Sequence, residues 1–208
     1  MKTKKIIVLD FEGVVFQSRL REMYKDIFTE KGKSLNELDY FFSDIFKEQD
    51  RSSNCRQKTI AEMTEPLAQQ HPEWAEYLRA FNADREFYRY IKCPIEGMEE
   101  IINTLSSSDE YQLYGLTNWP GDGFVVLEEL YPELISKFKK VIVSGYTGYK
   151  KPDPEFFQLA NKEIGEPEAN SVYFFDDKKR NVEAAKQLLG WNGFTFEDAS
   201  TIKNALFK

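Results

Sequence analysis

The stretch "KKIIVLDFEGVVF", residues 4–16, decides how the rest of the chain is read. Four apolar residues, Ile6 to Leu9, run without a break into Asp10, and a second acid, Glu12, follows in a glycine-containing turn. A short uninterrupted apolar run is what a strand buried on both faces needs, and such strands belong to parallel sheets. In open parallel sheets the working site lies beyond the carboxyl ends of the strands. Two carboxylates delivered to that end therefore require a chemical reason.

Working outward, the C-terminal part repeats the pattern. "YQLYGLT" (111–117), "KVIVS" (140–144), "SVYFFDD" (171–177) and "GFTF" (193–196) read as further strands. Between them lie helical patterns at 97–108, 124–134, 152–165 and 181–190. The segment "PDPEFFQLANKEIG" begins with proline and ends with glycine, the asymmetry a helix favours. Alternating strands and helices predict right-handed βαβ units and a parallel sheet covered on both faces, an α/β Rossmann-like core. Asp10, Thr117, Ser144, Asp176 and Asp177 then fall at strand ends. Residues 17–90 break the rhythm. They are polar and helix-prone, and no strand stands out, so they predict a helical insertion after strand one.

Composition bounds the function. With 208 residues the chain can build one sizeable core, or a core with a small accessory domain. A net charge of -7 argues against a general nucleic-acid binder, which needs a basic surface, but leaves room for a local basic pocket. Cys55 and Cys93 match no metal or redox spacing and are expected to be free thiols in a reducing compartment. The basic N-terminus is followed by too short an apolar run for a signal peptide. No apolar stretch approaches the roughly 20 residues of a membrane span. The expectation is a soluble cytoplasmic protein without a membrane partner. The single histidine, His71, beside Pro72, reads as a surface residue and leaves little room for a Ser-His-Asp triad.

The strand-end residues suggest a specific chemistry. Converging carboxylates repel one another unless a cation joins them. Oxygen ligands favour a hard divalent ion, and Mg²⁺ is the usual choice beside a phosphate. A lysine such as Lys151 supplies a point charge for a phosphate oxygen, and a hydroxyl with backbone N–H groups completes an anion cradle. Asp10 could then attack phosphorus, with Glu12 passing a proton to the leaving alcohol.

Four segments together resemble the four motifs of the haloacid dehalogenase superfamily, most of whose members are Mg²⁺-dependent phosphatases. They are Asp10 in "VLDFEGVVF", Thr117 in "YGLTNWP", Lys151 in "YKKPDPEFF", and Asp176 with Asp177 in "VYFFDDKKRNVEAA". The resemblance covers about residues 4–16 and 92–197. It implies that Asp10 is the nucleophile, that Thr117 and Lys151 hold the phosphoryl group, and that Asp10, Asp176 and Asp177 ligate Mg²⁺ with the main chain at Glu12. It also implies a core of residues 1–16 and 91–208 and a helical cap at 17–90, like that of L-2-haloacid dehalogenases, sugar-phosphate phosphatases and β-phosphoglucomutases. Such a cap would close over the site and select the substrate, here a small phosphorylated metabolite such as a sugar phosphate.

The sequence departs from the family at Glu12, where phosphatases usually carry Asp. Two readings stand. Either Glu12 remains the general acid/base on a stem one methylene longer, or it points elsewhere and the protein is slow or inactive. Asn118 and Trp119 are candidate pocket residues, Trp119 either as a wall for substrate or as core. Asp177 either binds the metal or braces its neighbours. Lys150 reads as a surface residue and Asn181 as a helix cap. The expected function is hydrolysis of a small phosphate monoester. A metal-free 2-haloacid dehalogenase, a mutase, and a silent relative that binds a phosphometabolite or a protein are the alternatives. Oligomeric state is open.

Overall fold

The computed structural model describes residues 4–47, 57–82, 84, 88–89 and 92–207. Its centre is a five-stranded parallel sheet whose strands lie, edge to edge, in the order Lys140–Val143, Tyr111–Thr117, Lys5–Leu9, Val172–Asp176, Asn192–Thr195. The strands are β1 (Lys5–Leu9), β4 (Tyr111–Thr117), β5 (Lys140–Val143), β6 (Val172–Asp176) and β7 (Asn192–Thr195). After β1 the chain builds β4 and β5 on one side, then crosses back to place β6 and β7 on the other. The change of direction occurs at β1, and a crevice opens at such a switch point. Register brings the three central ends level: Leu9 faces Gly115 on one side and Phe175 on the other. Asp10, Thr117 and Asp176 therefore emerge beside one another.

Period-two alternation along β1 divides the core. Ile7 and Leu9 pack into one layer with Met98, Ile101, Ile102 and Leu105 of the helix Met98–Ser106 and with Ile202. Ile6 and Val8 pack into the other with Phe156, Phe157 and Ala160 of the helix Pro154–Glu163 and Ala185 of Lys179–Leu189. Each large apolar side chain so buried contributes about 1.5–3 kcal/mol. The helix expected at 124–134 instead spans Gly121–Leu130, and Pro132 opens a separate turn, Pro132–Ile135. Proline lacks the N–H that a continuing helix would use.

Between the halves of the core lie the helices Leu20–Glu30, Leu35–Tyr40 with a π-helical turn Phe41–Phe46, Ile60–Gln70 and Ala75–Ala80. Ser34 with Glu37 and Thr59 with Glu62 form capping boxes that set two of the helix starts. Aromatic residues unite the segment: Tyr24, Phe28, Phe41, Phe46, Trp74 and Tyr77 form a cluster of their own. Phe28 and Tyr77 approach to 4.5 Å between ring centroids. Contrary to the strandless reading of this region, its neck is a two-stranded antiparallel ribbon. β2 (Phe16–Ser18) pairs with β3 (Lys92–Pro94), with Ser18 opposite Lys92. Three residues are too few for a periodic signal, and a partner 74 or more positions away leaves no local trace. Cys93, on β3, is a half-buried free thiol, and Cys55 lies outside the described residues. Among the described residues no helix is long and apolar enough to cross a membrane.

Candidate active site

Asp10 follows β1 directly and is 3% exposed. Its backbone N–H continues the sheet to the Phe175 carbonyl. Its Oδ1 accepts the Phe11 N–H at 2.7 Å, and its Oδ2 lies 2.9 Å from Lys151 Nζ. Asp176, at the end of β6, is fully buried. Oδ1 accepts the Lys178 N–H at 2.8 Å, Oδ2 accepts Lys151 Nζ at 2.7 Å, and the Asn181 amide donates to both oxygens. Lys151 thus bridges two carboxylates that the sheet has brought together.

These contacts govern ionisation. Burial raises the Asp10 pKa to about 7; Lys151 opposes the rise and Asp176 adds to it. Burial also opposes charge on Asp176, yet Lys151, the Lys178 N–H and Asn181 hold its pKa below the ordinary value. Burial works against the charge of Lys151, and the two aspartates outweigh it, so its pKa is raised. Burial raises Asp177 as well.

Asp177 completes the acidic group. Carboxylate oxygens of Asp10, Asp176 and Asp177 lie within 4.8 Å of one another. Asp177 Oδ1 is buried and has no hydrogen-bond partner among the described residues. Gly13 makes its approach feasible: a Cβ there would sit 2.7 Å from Asp177 Cγ, and its φ of +80° is one that side chains disfavour. When ionised, the three carboxylates outnumber the cations beside them, Lys151 between Asp10 and Asp176 and Lys178 at 3.8 Å from Asp177 Oδ1, and the group stays net negative. An oxygen-rich group with two buried carboxylates, a net negative charge and an oxygen that no hydrogen bond reaches among the described residues fits a hard divalent cation.

Thr117 ends β4, fully buried, and its hydroxyl has no partner among the described residues. Asn118 clasps the backbone of Lys151 from both sides: its Oδ1 accepts the Lys151 N–H at 2.8 Å and its Nδ2 donates to the Lys151 carbonyl at 2.9 Å. Ser144 fixes the next residue, its Oγ accepting the Trp119 N–H at 3.0 Å. Trp119 is 3% exposed and lines a cavity of about 320 Å³ that also holds Asp10, Glu12, Lys92 and Lys151.

Glu12 does not turn away from this cavity. Its carboxylate accepts Lys92 Nζ, which lies 4.6 Å from the Trp119 ring centroid. The structure therefore brings Asp10, Lys151, Asp176 and Asp177 into one cluster and sets Glu12, Asn118 and Trp119 along the adjoining wall. Two readings change. Asn181 is no cap: it sits inside the helix Lys179–Leu189, with Lys178 at the N-cap, and braces Asp176. Lys150 is half-buried and lines the cavity rather than the outer surface. Sequence reasoning missed Lys92, Lys178 and Arg180 on the wall. The basic run "DDKKRN" was a usable signal for the latter two; Lys92 had none.

A family model described as haloacid dehalogenase-like hydrolase matches residues 4–188. The chain belongs to that family. A relative of this haloacid dehalogenase-like hydrolase is "Sesquiterpene phosphatase astK" of Aspergillus oryzae, 36% identical over 87 residues, which are 42% of this chain and 43% of that protein. The chain spans less than half the length of the curated relatives it matches. Solved structures share the hydrolase's fold. The HAD family enzyme bt-2542 of Bacteroides thetaiotaomicron, in complex with magnesium and inorganic phosphate, superposes with a TM-score of 0.67 at 17% identity, over 98% of this chain and 100% of that one. L-2-haloacid dehalogenase from Xanthobacter autotrophicus, with chloropropionic acid covalently bound, gives 0.59 at 16% identity, over 90% of this chain and 75% of that one.

Proposed function

We propose that this hydrolase is a Mg²⁺-dependent phosphatase that cleaves a small phosphate monoester through an aspartyl-phosphate on Asp10. The observation that carries the reading is the acidic group of buried Asp10 and Asp176 with partly exposed Asp177, Lys151 bridging the first two. The phosphatase name of one relative and the magnesium and phosphate in one fold neighbour support it.

In this mechanism Lys151 holds Asp10 in place while a carboxylate oxygen of Asp10 forms a bond to phosphorus. The ester P–O bond breaks as Glu12, in its protonated form rather than as the carboxylate paired with Lys92, gives its proton to the leaving alcohol. Glu12, now ionised, takes a proton from water, whose oxygen attacks phosphorus and releases Asp10 and inorganic phosphate. The Thr117 hydroxyl donates to a phosphoryl oxygen throughout. Mg²⁺, held by Asp10, Asp176, Asp177 and the main-chain carbonyl of Glu12, would neutralise charge on the phosphoryl group. The helical segment, residues 17–90, acts as a cap on a core of residues 1–16 and 91–208, and shields the acyl phosphate from bulk water.

Phosphate release from a panel of esters, with Mg²⁺ and with EDTA, tests the reading. Release that needs Mg²⁺ and vanishes in Asp10→Asn supports it. Halide release from 2-chloropropionate in EDTA would replace it with dehalogenation, and silence across the panel would leave a binding protein.

A further inference from the structure

Away from Asp10, the cavity wall offers cations and apolar surface but few hydrogen-bond acceptors. Leu20, Phe46 and Phe81 face it from the helical side, and Trp119 from the loop after β4. Its cations beyond Lys151 are Lys92, Lys150, Lys178 and Arg180. Among the described residues two carboxylates line it, and each is ion-paired: Asp10 with Lys151 and Glu12 with Lys92. The Asn118 amide is used at both ends by the Lys151 backbone. The Ser18 hydroxyl accepts the Leu20 N–H at 3.3 Å.

A sugar hydroxyl is a donor as well as an acceptor, and a buried donor without a partner is costly. Pockets that select polyhydroxylated molecules therefore present free carboxylate or amide oxygens. Among the described lining residues each carboxylate is already paired with a lysine, and both ends of the Asn118 amide are taken. The apolar side chains, by contrast, gain from covering any hydrocarbon placed on them. Lysine and arginine heads answer the dianionic phosphate and need nothing from the organic part.

We infer that the organic part of the substrate is an apolar alcohol rather than a sugar. This rests on the phosphatase reading and narrows its substrate class. The phosphate end enters toward Asp10 and Lys151, and the hydrocarbon lies along Leu20, Phe46, Phe81 and Trp119.

The test compares octyl phosphate with glucose 6-phosphate and glycerol 3-phosphate, by phosphate release with Mg²⁺ on the full chain. The expected kcat/KM for octyl phosphate is about tenfold or more above the other two, the scale of apolar-pocket discrimination. Leu20→Asn should raise KM for octyl phosphate by a larger factor than KM for glycerol 3-phosphate, and equal factors for the two would count against the inference. In the turnover-dead Asp10→Asn protein, octyl phosphate should raise Tm more than glucose 6-phosphate does. Equal or better hydrolysis of the sugar ester overturns the inference and leaves the phosphatase reading intact. No Mg²⁺-dependent release from any ester overturns both.

Discussion

Lys92 and Glu12 meet across the neck of the helical insertion, eighty positions apart in the chain. Lys92 belongs to β3, the strand on which the chain returns to the core, and its ammonium rests against the Trp119 ring. The Lys92 side chain is 10% exposed and that of Glu12 31%. A cation so placed has little water to compete with its partners. The longer stem of Glu12 is thus steadied by the return strand.

Lys92→Met should therefore impair proton delivery more than the attack on phosphorus. Loss of orientation at a catalytic group costs on the order of a hundredfold. We expect a fall of that size in kcat for an alkyl phosphate, whose leaving group must be protonated. Turnover of p-nitrophenyl phosphate, whose leaving group needs no proton, should change little. An equal loss with both esters would mean that Lys92 only supports the fold.

Glu12→Gln keeps the shape of the side chain and removes the transferable proton. Its kcat on alkyl phosphates should drop by about 10²–10⁴, the usual contribution of general acid–base catalysis. Glu12→Asp should retain part of the activity, because it retains the carboxylate. Turnover of Glu12→Gln equal to wild type would end the proton-transfer role.

Gly13→Ala places a methyl group where Asp177 stands and imposes a φ of +80° on a residue with a side chain. The backbone term alone costs roughly 1–2 kcal/mol. The larger effect should fall on the cation: the Mg²⁺ concentration for half-maximal activity rises, and the Mg²⁺-induced gain in Tm shrinks. An unaltered Mg²⁺ dependence would separate Asp177 from metal binding.

The raised pKa of Asp10 sets a pH dependence. Its folded value is about 7 against 3.8 for an ordinary aspartate, so between those values the folded, metal-free protein keeps a proton that the unfolded chain has lost. That contribution makes the metal-free form less stable as pH rises through the window. A cation must displace the same proton, so its binding strengthens over the same range. The rise in Tm on adding Mg²⁺ should be small near about pH 5 and level off above about pH 7. A rise independent of pH would show that Asp10 is not among the ligands.

The sheet and the residues at its strand ends were legible in the sequence because both are local. An apolar run as short as Ile6–Leu9, closed by an acid, reads as a buried strand, and Asp10 at its end falls where a parallel sheet opens its crevice. The same logic exposed Thr117 and Asp176, while Lys151 was marked by the "KPDP" turn. The β2–β3 ribbon, Lys92 on Glu12, Asn181 on Asp176 and the fit of Gly13 against Asp177 were not legible. Each depends on how distant segments are brought together, on strand register or on the direction of a single helix turn, and no periodicity records these. Sequence alone thus determined the layered α/β core and the charged groups at its mouth. Only the tertiary structure decided which charges pair, which oxygens stay free, and what kind of surface the substrate meets, because those depend on distances between segments far apart in the chain.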